Sequence, residues 1–248
     1  MLRKRLITVL TFNEGILFRT RNFMPDYRYT LNFVDAWSVD EIVVLDISRE
    51  PERYRNHFYD AVSWFTERCF VPLTVGGGVR SLNDFETLLT LGADKVAVNT
   101  GALEQPKLIS EASRRYGTQC VVLSMDVARR YEAFPYEVCA AFGTRETGLS
   151  PEKWARKGQQ LGAGEILVQS IERDGMLEGY DNRLNAIVSD AVDIPVLACS
   201  GAGNWQHFEE GFRQGKASGV CTTNIYHFTE SSIASAKSYL KQQGVCVR

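Results

Sequence analysis

The sequence is short of several things, and each shortage removes a class of function. Its 3 histidines in 248 residues are widely spaced, too few for an imidazole-based zinc site. Its 6 cysteines (69, 120, 139, 199, 221 and 246) contain no CxxC pair, and most lie inside apolar, strand-like runs. That pattern points to buried free thiols in a reducing cytoplasm, not to a disulfide framework. Net charge is only −2, which argues against a general nucleic-acid binder. Apolar runs are strand-sized, well short of the roughly 18 residues of a membrane span. The opening Met1-Leu-Arg-Lys-Arg is followed by no signal-peptide core. No linker or low-complexity stretch divides the chain. We therefore expect one cytoplasmic domain spanning residues 1–248, with no metal, no cofactor, no membrane and no nucleic acid.

What the chain does have is a glycine turn, Thr74-Val-Gly-Gly-Gly-Val-Arg80, reading as a strand, a turn and a helix start. Without Cβ atoms, the N–H groups of Gly76, Gly77 and Gly78 can close on an anion. Ser81 and Asp84 then open a helical pattern whose positive end favours the same ligand. A tight turn alone would explain three glycines equally well, but the chain makes the turn twice. Pro195-Val-Leu-Ala-Cys-Ser-Gly-Ala-Gly203 repeats Pro72-Leu-Thr-Val-Gly-Gly-Gly78, with Gly201 and Gly77 offset by 124 residues (201 − 77). Glu165-Ile-Leu-Val answers Glu41-Ile-Val-Val at the same offset. A half-chain repeat indicates a duplicated half-barrel.

Apolar runs alternate with amphipathic segments eight times. Strands are expected near 5–11, 41–47, 70–75, 94–99, 120–126, 164–170, 194–199 and 218–223. Helices are expected near 30–39, 52–67, 81–91, 105–116, 150–161, 181–191, 204–214 and 229–243, with Ser150 as a cap before Pro151. Runs such as Ile42–Leu45 are apolar throughout, as parallel strands covered on both faces are. The alternation and length predict a (β/α)8 TIM barrel built from two similar (β/α)4 halves. Chemistry in such barrels sits where strands end. The polar residues there are Thr11, Asp46, the glycine turn, Asn99-Thr100, Asp126, Gln169 with Asp174-Gly175, Cys199-Ser200-Gly201 and Thr223-Asn224. Asp126 closes an apolar strand and is the best general acid–base candidate; Asp46 could simply salt-bridge a loop arginine.

Further motifs run in order from end to end: Val44-Leu-Asp-Ile47, Gly92-Ala-Asp-Lys-Val-Ala-Val-Asn-Thr100, Gly162-Ala-Gly-Glu-Ile-Leu167, Arg173-Asp-Gly175, Gly179-Tyr-Asp181 and Tyr226-His-Phe228. With the glycine turn they make nearly the whole chain resemble the cyclase subunit of imidazole glycerol phosphate synthase. That family uses ammonia delivered through the barrel axis by a glutaminase docked at the opposite face, and binds a substrate with a phosphate at each end. The resemblance implies that Gly77, Gly78, Asn99 and Thr100 hold one phosphate, that Asp126 is catalytic and that Asp174 supports it. It implies substrate contacts for Arg19, where the family has lysine, and for Asp46, Gln169, Gly175 and Gly201. Arg5, Glu41, Lys95 and Glu165 match the ring guarding the ammonia entrance, and Asp94 would face the docked partner.

The departures cluster at the reacting end. Thr11 stands at the family's other catalytic aspartate, Gln169 replaces a threonine, Ser200 replaces a glycine, and Thr223-Asn224 replaces Ala-Ser at the second phosphate site. An intact inlet with a rebuilt mouth resembles the cyclase-like paralogues of surface-polysaccharide clusters. With a glutaminase and an N-sugar amidotransferase, these serve the conversion of acetamido to acetamidino sugars, on phosphorylated or nucleotide-sugar substrates. That is the working expectation; its rivals are a genuine histidine-pathway cyclase and a non-catalytic scaffold that activates a glutaminase. The four tryptophans, His57, His207 and His227 read as packing or surface residues. Met24–Tyr29 could form a mobile lid or an ordered loop, and 131–146 reads as a hairpin.

Overall fold

In the computed structural model, which describes residues 3–21, 23–28, 39–130, 135–222 and 233–248, each of the eight apolar runs becomes a strand. They are β1 Arg5–Asn13, β2 Glu41–Asp46, β3 Leu73–Gly76, β4 Lys95–Val98, β5 Val121–Arg129, β6 Glu165–Ser170, β7 Val196–Cys199 and β8 Gly219–Thr222. Neighbours pair in parallel from β1 through β2 to β5; β6 through β8 return to β1. The ring closes where β5 meets β6, from Val122 opposite Glu165 to Val127 opposite Ser170. This is a closed (β/α)8 TIM barrel.

Helices α1 Pro51–Arg68, α2 Leu82–Thr90, α3 Thr100–Glu104, α4 Lys107–Tyr116, α5 Pro151–Leu161, α6 Asn182–Ser189, α7 Trp205–Arg213 and α8 Ile233–Gln242 lie between strands or after β8. The strands bury nearly every residue because alternate side chains enter two cores. Ile42, Val44, Val75 and Val96 pack outward under the helices with Phe58, Phe65 and Phe85. Ile7, Val43, Ala97, Val122, Leu167 and Leu197 fill the inside of the ring. The expected helix at 30–39 falls almost wholly outside the described residues, as does Trp37.

Both halves start their helices the same way. The Ser81 hydroxyl accepts the Asp84 N–H in a reciprocal capping box, and the Asn204 side chain accepts the His207 N–H at 3.0 Å. Gly77 and Gly201 have matching φ values of 106° and 101°. A Cβ on Gly77 would strike the Asp46 carbonyl, and one on Gly201 the Gly179 carbonyl. Close backbone packing therefore requires glycine at both turns, independently of any ligand. One cap departs from expectation: the Ser150 hydroxyl binds Glu152 at 2.8 Å instead of capping α5, while Pro151 does occupy the first turn.

Two strands run on past the barrel. β1 pairs Thr11 with Phe18 as the chain folds back antiparallel through Ile16–Arg21, which pairs with Met24–Arg28. The segment from Met24 is thus a strand through Arg28, not a loose lid; Tyr29 lies outside the described residues. The hairpin expected in 131–146 also exists, with β5 itself as the first arm, then Tyr136–Ala140 and Arg145–Glu146. Residues 131–134 are outside the described set. Among the described residues, no helix is long and apolar enough to cross a membrane.

Candidate active site at the mouth of the barrel

Asp126 lies next to Gln169 in the β5–β6 register, both side chains directed into the ring at its C-terminal end. The Gln169 amide donates to Asp126 Oδ1 at 3.0 Å and to Ser124 Oγ at 3.3 Å. Burial lifts the Asp126 carboxyl to about 7. The nearby Asp174 charge adds to the lift, and hydrogen bonds from Asn99 and Gln169 oppose it without cancelling it. A carboxyl held there can exchange a proton near neutral pH, where an ordinary one is fully ionised.

Two hollows meet at Gln169, and Asp126 lines the first of them. One runs past Asn99, Thr100 and Asp126 to Gly77 at the first glycine turn. The other runs past Thr11, Asp174 and Gly175 to Ser200 and Gly201 at the second. Thr11 and Gln169 line the wall between them, together with Phe23 and Phe142. So Thr11, Asp126, Gln169, Asp174 and both glycine turns do converge. The buried Asn99 Oδ1 and Ser200 Oγ have no hydrogen-bond partner among the described residues, and Ser200 holds φ 75°, unusual for a residue with a side chain. Unsatisfied polar atoms and strained backbone of this kind mark places where a ligand is expected.

Other candidates are occupied structurally. Asp46 is enclosed: Oδ1 accepts the Ser48 N–H at 2.9 Å, and Arg55 stands 3.9 Å from Oδ2. Burial pushes its carboxyl up. The expected arginine is present, though supplied by α1 instead of a loop, while Asp46 also lines the first hollow and its Oδ2 has no hydrogen-bond partner among the described residues, as a substrate contact would require. Thr100 Oγ1 accepts the Ala141 N–H at 3.0 Å and so fixes the hairpin after β5. Asp174 accepts the Phe23 N–H at 3.0 Å, tying the first hairpin over the mouth, and Gly175 abuts the Thr20 carbonyl. Arg19 lies on that hairpin, its side chain outside the described residues; Thr223 and Asn224, and His227 with them, are outside altogether.

At the opposite end, Arg5 binds Glu41 at 2.7 Å and Glu165 at 2.5 Å, while Lys95 binds the same two carboxylates at 3.0 and 2.9 Å. The four form a closed quadrilateral across the axis. Burial disfavours the Glu41 charge, but Arg5 and Lys95 outweigh it and hold its carboxyl below the usual range. Asp94, exposed beside Lys95, accepts the Leu73 N–H at 2.8 Å.

A family model described as "Histidine biosynthesis protein" matches residues 8–232. The chain belongs to that family. It is 42% identical over 253 residues to imidazole glycerol phosphate synthase subunit HisF of Clostridium botulinum (strain Okra / Type B1), covering all of both chains. The Langeland / NCTC 10281 / Type F strain protein of the same name is also 42% identical, and that of the Kyoto / Type A2 strain 41%, with the same coverage.

Within this family member, sequence reasoning missed four contributors. Arg55 reaches from α1 to the Gly77 carbonyl at 3.3 Å and lies against Gly78, placing positive charge behind the first glycine turn. Phe142 closes the mouth under the Arg49 guanidinium, 4.2 Å from its ring centroid. Phe23 lines the same wall. Arg248 comes within 3.8 Å of Glu41 because the chain end bridges to Lys4, adding a second arginine to the floor. Only the Val245-Cys-Val247 alternation hinted at that last strand-like contact.

Proposed function

We propose that this chain is an ammonia-using cyclase subunit of the imidazole glycerol phosphate synthase type, fed by a glutaminase docked against the charged floor. The observation that carries the reading is Asp126: one carboxyl, poised near neutral pH, between two glycine turns and on the same axis as the ring of Arg5, Glu41, Lys95 and Glu165. The turns, 124 residues apart (201 − 77), suit a substrate anionic at both ends. Full-length likeness to three subunits of that name favours this reading over a sugar-modifying paralogue.

In this scheme ammonia enters past Lys95 and reaches the mouth beside Ser124 and Gln169. Asp126 takes a proton from the attacking nitrogen and returns it to the departing group; Gln169 keeps the carboxyl aimed. Thr11 donates or accepts a hydrogen bond but cannot share the proton transfers. Asp174 acts indirectly, by raising Asp126 and holding the first hairpin.

A second reading rests on two observations, the threonine at position 11 and the buried Ser200 hydroxyl at the second turn. It is ammonia delivery for amidination of a phosphorylated or nucleotide-linked sugar with an N-sugar amidotransferase. The deciding experiment gives the chain the bis-phosphate cyclase substrate and ammonium salt and follows imidazole ring formation. Ring formation that Asp126→Asn abolishes supports the cyclase reading. A correctly folded chain that forms no ring contradicts it and leaves the sugar role to be tested with the amidotransferase.

A further inference from the structure

Cys199 and Cys221 have no part in the scheme above, yet they face each other inside the barrel. β7 and β8 run parallel with Leu197 opposite Gly219 and Ala198 opposite Val220, so the next step brings the two cysteines together. Both belong to the inner cluster, both line the hollow of the second glycine turn, and the Cys199 thiol is a hydrogen-bond partner of the Cys221 thiol. Cys199 is also the register partner of Gln169. Nothing in the catalytic scheme requires sulfur at either position.

We propose that Cys199 and Cys221 form a two-thiol site for a soft, two-coordinate cation of the mercury(II) class, opening on the mouth of the barrel. Ligand number decides the class. Among the described residues no group of three or more His, Cys, Asp or Glu side chains could hold a metal, so an ion demanding four ligands, such as zinc, is not served. Sulfur ligands select soft ions. Charge decides within that class: the site is buried, and a net charge there is costly. Two thiols that each lose a proton to one divalent ion give a neutral bis-thiolate, RS–Hg–SR, and release two protons; a monovalent ion would leave a buried negative charge. No oxidant is needed. An ion bridging the two sulfurs stands between Gln169 and Ser200, so it narrows the second-turn half of the mouth while leaving the first-turn half open.

The test uses the full chain with Cys69, Cys120 and Cys246, the partly or fully exposed cysteines, changed to serine. Mercury(II) chloride is first added without any other thiol, to count ions bound and protons released, and affinity is then read separately by competition with a free thiol. The site predicts one ion per chain, two protons released, and a loss of affinity on the order of 100-fold on changing either Cys199→Ala or Cys221→Ala. A single change that moves affinity less than about threefold, or release of one proton, overturns it. Should an alanine variant fail to fold, the parent decides by peptide mapping. One ion must protect both cysteines together from iodoacetamide after unfolding, and protection of one alone or of neither overturns the site.

Discussion

At the floor of the barrel, Arg5, Glu41, Lys95 and Glu165 neutralise one another at 2.5 to 3.0 Å; at the mouth, Asp126 sits among amides and near a second carboxylate, Asp174. The same burial therefore has opposite results. Glu41 is driven toward its charged form by two cations, and Asp126 toward its neutral form by desolvation. A paired ring is a stable wall that opens only by breaking an ion pair. An unbalanced carboxyl beside Asn99 and Ser200 oxygens that none of the described residues satisfies is a place where a ligand can contribute. In the proposed scheme gating and docking fall to the first end and proton transfer to the second.

The largest expected effect breaks the mouth. Asp126→Asn should lower ammonium-driven turnover by roughly 10²–10⁴-fold, the usual worth of a positioned acid–base group, read by steady-state kinetics. Next comes the floor. Arg5→Ala leaves Glu41 and Glu165 with less compensation and should cost about 3–5 kcal/mol in denaturant unfolding. If the loss is under about 1 kcal/mol, the ring is not the stabilising unit described here.

Those two ends were unequally legible in the sequence. The barrel was readable because parallel strands need apolar faces on both sides, and runs such as Ile42–Leu45 announce themselves. The floor ring came from the resemblance alone; periodicity marked the starts of its strands but not that Arg5, Glu41, Lys95 and Glu165 would meet. At the mouth, Asp126 was visible as a strand-end carboxylate. The work of Arg55, Phe23 and Phe142 was not, because it depends on how α1 and two hairpins fold back over the strands. Asp46 was ambiguous for a related reason: a carboxylate at a strand end looks alike whether it serves the opening or a Ser48 amide and an arginine of α1, and this one touches both. The glycine turn was found for one reason and exists for a second, since the Asp46 backbone leaves no room for a Cβ at Gly77.

The comparison also sets signs for pH. A carboxyl raised to about 7 when folded, against ~4 when unfolded, burdens the folded state increasingly as pH climbs between those values. Asp126→Asn should therefore be more stable than the parent at pH 8 by on the order of 2–4 kcal/mol, with the gap shrinking toward pH 4–5. Glu41, held below its usual range, works the other way: its pairing supports the fold at neutral pH and is lost on acidification through its folded value. A smaller effect sharpens the floor's role. Asp94→Ala should weaken glutamine-driven turnover with the glutaminase by about fivefold, on the order of 1 kcal/mol, and leave ammonium-driven turnover unchanged. Equal loss in both assays would place Asp94 in the fold instead of the docking face.

The most direct check on the division between the two ends is the pH dependence of kcat/KM for ammonium-driven ring formation, with the concentration of free ammonia held constant. The account predicts a limb with an apparent pKa near 7 in the parent, absent from the residual activity of Asp126→Asn. An unchanged profile in that variant, at comparable rates, would show that proton transfer at the mouth does not pass through Asp126.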